Sequence, residues 1–183
     1  RDVWFSTSRD FDKIQTKNNK GGERFENYKQ QPLNFIFPKE LKLNVNPDIK
    51  KNEINAAVIR EKGSNSEREM AYMMSLAGFN VKDIHMTDII SGREDLKDVQ
   101  LLVAVGGFSN SDVLGSAKGW AGSFIHNPQA KNAITSFFER EDTISLGVCN
   151  GCQLFIELGL INKDHSNKPK MKHNDSNKFE CIF

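Results

Sequence analysis

The sequence predicts an α/β protein whose mostly parallel sheet is covered by helices on both faces. Three observations carry this: short apolar runs separated by helix-length segments, apolar residues at helical spacing within those segments, and glycine-marked turns where strands end. The first run, residues 56–59, reads as a buried strand and is followed by the turn Gly63-Ser64-Asn65. Ser66 and Glu69 then have the spacing of a capping box, and Met70, Met73, Met74 and Ala77 recur on one helical face until Gly78 stops it. Residues 81–85 form a second strand and 100–105 a third, more apolar one. Asn127-Pro128 opens the next helix, with Ala130, Ile134, Phe137 and Phe138 facing inward. Residues 144–148 make a further strand, and residues 153–158 begin the helix after it. In a sheet of this kind ligands gather at the carboxyl ends of the strands, which directs attention to the turns there.

The first 52 residues differ in composition. Residues 12–31 are polar and rich in Lys and Asn around Gly21-Gly22, and Pro32, Pro38 and Pro47 punctuate the stretch up to residue 52. They read as a tail and linker, partly extended, with the Lys excess a solvated face. Residues 53–183 form the second domain. A start at Arg1 rather than Met, and a stop at Phe183 in an apolar stretch, read as a piece of a longer protein whose second domain is incomplete at its C-terminal end.

Composition excludes several classes. The 183 residues are 38% hydrophobic and 27% charged, a globular balance, and the formal charge of +1 gives no whole-chain field toward nucleic acid or a membrane surface. No apolar run approaches the length that spans a bilayer, and no signal-peptide pattern is present. Three cysteines, two of them in one Cys-x-x-Cys, are not a disulfide framework, so a reducing, cytoplasmic setting is expected.

The sharpest turn is Gly147-Val148-Cys149-Asn150-Gly151-Cys152-Gln153. A strand that runs into Cys149, with a helix just after it, is the geometry of a nucleophile elbow bearing a thiol. Small neighbours are needed around such a turn, and Gly147 and Gly151 meet that need. A cysteine at a helix N-terminus faces free N–H groups and the positive end of the dipole, both of which favour the reactive thiolate. An isolated Cys would instead be read as a small core residue; here the flanking glycines favour the nucleophile. Cys152 is expected to pack inward. Two other readings stay open: a redox Cys-x-x-Cys at a helix start, and an anion- or flavin-binding module using Gly63-Ser64-Asn65-Ser66. No zinc site is expected, since only Cys181 remains.

Gly106-Gly107-Phe108-Ser109 follows the third strand directly and lets backbone N–H groups approach a ligand. Beside an elbow, such a turn can supply an oxyanion hole. A cysteine hydrolase also needs a His and an acid to orient it. None of His85, His126, His165 and His173 is followed closely by an acid in a relay pattern, and none is taken as catalytic.

Arg60-Glu61-Lys62-Gly63-Ser64-Asn65-Ser66-Glu67, Ala77-Gly78-Phe79, His85-Met86-Thr87-Asp88, Gly106-Gly107-Phe108-Ser109 with Asp112-Val113-Leu114-Gly115, Lys118-Gly119-Trp120-Ala121 and residues 146–153 occur in that order. Together they resemble the glutaminase domain of the large, single-chain phosphoribosylformylglycinamidine synthases. The match is close over residues 54–160. Trp4 with Thr7-Ser8 resembles the end of that family's synthetase domain, and Asn174, Ser176 and Phe179-Glu180 a more loosely matched strand entry.

The resemblance implies a flavodoxin-like, class I (triad) glutamine amidotransferase domain. Cys149 is then the nucleophile toward glutamine, with the N–H groups of Gly107, Phe108 and Asn150 as oxyanion donors and Gly106 and Gln153 lining the glutamine site. It implies no cofactor or metal in these residues, and ATP and magnesium in a synthetase domain of the same chain that receives the ammonia. It also implies that the triad His and Glu lie beyond Phe183, so that these residues alone are inactive. Asn110-Ser111 departs from the Tyr-Gly or Tyr-Ala common in the family, and His173 and Ile182 stand where arginines are common.

Overall fold

The computed structural model describes residues 2–16, 20–27, 30, 36 and 54–178, and the chain divides into two compact units, residues 44–171 and residues 1–43 with 172–183. The larger unit carries a four-stranded parallel sheet of β1 (Asn55–Arg60), β3 (Asn80–His85), β4 (Leu101–Ala104) and β6 (Ile144–Gly147), in the order β3-β1-β4-β6. Its other elements are α3 (Glu67–Leu76), α4 (Met86–Ile90), α5 (Lys118–Ile125), α6 (Pro128–Glu139) and α7 (Asn150–Glu157), with the two-residue strands β2 (Ser64–Asn65) and β5 (Gly106–Gly107) paired antiparallel. The chain leaves β1 first for β3 on one side and then returns to β4 on the other. That reversal is the doubly wound, flavodoxin-like arrangement expected, and it opens a crevice at the carboxyl ends of β1 and β4.

Strand alternation assigns the two faces. Ala57, Ile59, Ile84, Leu102 and Ala104 point to one side, where they bury Trp120, Phe124, Ile134, Phe137, Leu154 and Phe155 from the covering helices. Ala56, Val58, Val103 and Val105 point to the other, where Met74 of α3 covers them with the partly buried Met70 and Ala71. The inward positions read from the sequence on α3 and α6 are therefore the packed ones, except Met73 and Ala77, which are exposed; Ala77 lies just past the last residue of α3.

Several expectations require correction. Ser66 does not form a capping box. Its φ of 68° is left-handed, and its hydroxyl donates to Asn65 Oδ1 at 3.2 Å rather than accepting an N–H of the first turn. The β2–β5 pairing fixes the backbone just before it, outside the extended conformation an N-cap needs. A capping box exists instead at His85-Met86-Thr87-Asp88: His85 Nδ1 accepts from the Thr87 N–H at 3.2 Å, and the Asp88 carboxylate accepts from the His85 N–H at 3.2 Å. The helices α4 and α5 leave no periodic signal in the sequence. The first has five residues; the second is apolar nearly all round, so neither shows an amphipathic period.

Part of the N-terminal stretch read as a partly extended tail and linker is helical. In the smaller unit α1 (Asp2–Gln15) and α2 (Lys20–Asn27) are helices. Polar contacts tie them: the Gly21 N–H donates to Thr16 Oγ1 at 2.9 Å, Arg24 pairs with Asp12 at 3.5 Å, and the Arg9 guanidinium lies 5.0 Å from the centre of the Phe25 ring. Asp12 also pairs with Lys178. Composition does not reveal these helices because buried Gly21 and Gly22, rather than an apolar stripe, sit at the close approach. The readings placed on Pro32, Pro38, Pro47, Phe179, Glu180, Cys181 and Ile182 fall outside the described residues.

Candidate active site

At the end of β6 the chain turns sharply into α7, and Cys149 occupies the corner with φ 53° and ψ −110°. This is a sparsely populated conformation for a non-glycine residue, of the kind held at functional sites at about 1–3 kcal/mol. The corner forms because α7 lies almost against the strands. A Cβ on Gly151 would sit 2.0 Å from the Ala104 carbonyl oxygen, and one on Gly147 would sit 2.8 Å from the Gly151 oxygen. The Val148 N–H donates to the Ala104 carbonyl at 3.0 Å, and the Gly151 N–H to the Val148 carbonyl at 2.8 Å, which completes the turn. Cys149 is exposed and Cys152 half-buried, and both are free thiols.

Gly106 faces the nucleophile: a Cβ built there would lie 3.3 Å from Cys149 Cβ and 3.9 Å from its Sγ. The loop that follows is stapled at successive N–H groups. Phe108 N–H donates to the Gly63 carbonyl at 2.8 Å, and Asn110 N–H to the Lys62 carbonyl at 2.8 Å. Given the Phe108 bond, the Ser64–Gly107 pair is the non-hydrogen-bonded position of the β2–β5 ladder, so the Gly107 N–H points away from β2. Expectation and geometry part at Phe108. Its N–H, expected as an oxyanion donor, is bonded to the Gly63 carbonyl, whereas the register turns that of Gly107 away from β2.

Asn150 joins the two turns. It is 1% exposed, its Oδ1 accepts the Ser109 N–H at 3.1 Å, and its Nδ2 donates to Gln153 Oε1 at 2.9 Å. The Ser109 bond fixes which end of the amide faces the loop, and the Gln153 bond leaves the Gln153 Nε2 as that side chain's free end. The sequence pattern points only to the backbone of Asn150. A short polar residue between Cys149 and Gly151, in a turn that must be buried, is the available signal for its side chain.

Past Ser109 the backbone takes a left-handed turn, with Asn110, Ser111 and Asp112 at φ 52°, 56° and 51°. The two residues that depart from the family pattern thus sit in a conformation that Gly adopts freely and that Asn tolerates better than most residues. No histidine is hydrogen-bonded to Cys149 among the described residues: His85 caps α4, and His165 bonds Asn167. Among the same residues no group of His, Cys, Asp and Glu could hold a metal ion, and no helix is long and apolar enough to cross a membrane. In the turn at residues 63–66, the other candidate considered for an anion, the Gly63 carbonyl accepts the Phe108 N–H and the Ser64 hydroxyl donates to the Glu61 carbonyl at 2.7 Å.

A parallel doubly wound sheet with a cysteine elbow facing a Gly-Gly turn defines the class of the glutamine amidotransferase domains. The chain belongs to the CobB/CobQ-like glutamine amidotransferase domain family, whose model matches residues 53–183. It is 38% identical, over 194 aligned residues and its whole length, to the probable phosphoribosylformylglycinamidine synthase, chloroplastic/mitochondrial, of Arabidopsis thaliana. The chain spans 14% of the length of that relative. Among solved structures it resembles PurLQS from Thermotoga maritima, with a TM-score of 0.50 and 26% identity over 61% of this chain and 47% of that one. The chain's fold and its similarities support the glutaminase domain of a phosphoribosylformylglycinamidine synthase.

Proposed function

We propose that Cys149 hydrolyses glutamine through a thioester and that the ammonia serves the synthesis of formylglycinamidine ribonucleotide in purine biosynthesis. The observation that carries this is the exposed Cys149, held at φ 53° and ψ −110° opposite Gly106-Gly107. The thiolate attacks the side-chain amide carbon, forming a C–S bond, and the oxyanion accepts hydrogen bonds from the Gly107 and Asn150 N–H groups. Collapse breaks the C–N bond as the nitrogen takes a proton and leaves as ammonia. Water then cleaves the thioester, giving glutamate and restoring the thiol. Gln153 Nε2 is the donor assigned to the bound glutamine.

No residue of this chain matches the His and Glu that relay protons in the family. They are assigned, together with the ATP- and magnesium-using synthetase domain, to the part of the relatives' length that this chain does not span. A cytoplasmic setting belongs to the same proposal; the Arabidopsis relative is named for chloroplast and mitochondrion.

The test treats the full-length protein with a glutamine-mimicking diazo-ketone and maps the adduct by mass spectrometry. Modification at Cys149, blocked by glutamine, is the expected result. A reversible Cys149–Cys152 disulfide with no adduct would instead favour the redox reading. Replacing Cys149 with Ala should abolish glutamine-dependent synthesis and leave ammonia-dependent synthesis in place.

A further inference from the structure

The two backbone donors of the proposed oxyanion site lie on different elements, and their spacing must be held for both to reach one oxygen. The Gly107 N–H belongs to the turn after β4, and the Asn150 N–H to the first residue of α7. The neighbouring N–H groups of the turn are committed elsewhere: Phe108 to Gly63, Ser109 to Asn150 Oδ1 and Asn110 to Lys62. Of these three bonds, only the one at Ser109 runs to the elbow.

We infer that the Asn150 side chain is the positioning residue of the oxyanion site. It carries one donor on its own backbone, and through Ser109 it fixes the turn that bears the other. The inference rests on the glutaminase reading of Cys149. The side chain is 1% exposed and bonded at both ends, so it has no freedom to serve as a substrate contact. Its second bond, to Gln153 Oε1, holds that oxygen and leaves the Nε2 of Gln153 for a ligand, so one amide sets both the oxyanion donors and the orientation of the glutamine-binding side chain. Leu or Ala at position 150 would keep the backbone N–H and lose the link to Ser109. Asp would keep the acceptor for Ser109 but could not donate to Gln153 when ionised.

The experiment compares Asn150→Ala and Asn150→Asp with wild type in the full-length protein. It measures glutamine kcat and KM, and the rate at which iodoacetamide alkylates Cys149, located by mass spectrometry. Alkylation displaces iodide at a saturated carbon and develops no oxyanion, so it reports the thiol and the elbow without the donors. We expect kcat to fall roughly 100-fold in Asn150→Ala, the scale of a small misplacement of catalytic groups. The fall should be smaller in Asn150→Asp, with KM changing only a few-fold and alkylation within about two-fold of wild type in both.

A kcat for Asn150→Ala within about two-fold of wild type would overturn the inference. So would a fall in alkylation that parallels the fall in kcat, because the side chain would then be supporting the elbow rather than the donors. Failure of the glutaminase reading itself shows differently: wild type would then have no glutamine turnover for the variants to lose.

Discussion

Cys149 keeps an unfavourable backbone conformation because its surroundings leave it no other, and the restraint is steric rather than electrostatic. The Ala104 carbonyl lies where a side chain at position 151 would begin, and a Cβ on Gly147 would come within 2.8 Å of the start of α7. Gly151→Ala should therefore destabilise the protein by about 3 kcal/mol or more, the upper end of overpacking costs, because the atom it meets is backbone and cannot swing aside. Urea denaturation gives the stability, and the labelling of Cys149 should fall with it as the corner opens. Gly122→Ala in α5 is the contrasting case. Its Cβ would meet nothing nearer than 3.9 Å, so it should be neutral or stabilise by about 0.5–1 kcal/mol. Cys149, Gly147 and Gly151 are legible in the sequence because a strand-to-helix switch with glycine on both sides of one residue is rarely needed except to hold that residue at a sharp corner. The bond of Phe108 to Gly63 is not legible, since it depends on a two-residue antiparallel pairing between segments more than forty residues apart.

Among the elements, α6 shows how a boundary written into the sequence becomes stability. Asn127 Oδ1 accepts the Ala130 N–H at 2.8 Å, Pro128 supplies the first helical residue, and Ala130, Ala133, Ile134 and Phe137 are buried along one face. Removing the cap with Asn127→Ala should cost about 1 kcal/mol, and Asn127→Asp or Asn127→Ser should restore most of it, both read by denaturant unfolding. Glutamine turnover should be unchanged in all three, since α6 contributes no group to the elbow or the Gly106-Gly107 turn. Helices with this much signal can be read from the chain alone. Those without it escape for physical reasons: α5 offers no polar face, α4 is one turn long with a His cap, and the pair α1–α2 is tied by ion pairs and glycine contact. At Ser66 a correct motif is overridden by its neighbour, because the strand pairing of Asn65 fixes the backbone first.

At the scale of the whole sheet, the two faces are not equally covered. Register places Ile144 beside Leu101 and Leu146 beside Val103, on the side that α3 covers over β1 and β4. The apolar cluster that α3 closes on that face takes in Leu101 and Val103 but neither Ile144 nor Leu146. Ile144, Leu146 and Val148 are consequently 68%, 48% and 37% exposed, on a strand that pairs only with β4 among the described residues. An apolar strand with one free edge is a template for pairing with another chain. The 183 residues by themselves should therefore self-associate as concentration rises and bind an apolar dye. Leu146→Lys should weaken both, because a charge on that surface opposes edge pairing without touching the opposite face, where Ser145 and Gly147 pack. Light scattering coupled to size exclusion would register the change. A chain that stays monomeric and dye-silent at high concentration would show that this strip is already covered. The Cys149 elbow stands at the carboxyl end of the same strand, so the labelling rate of its thiol in monomer and associated fractions would show whether edge pairing also closes the site.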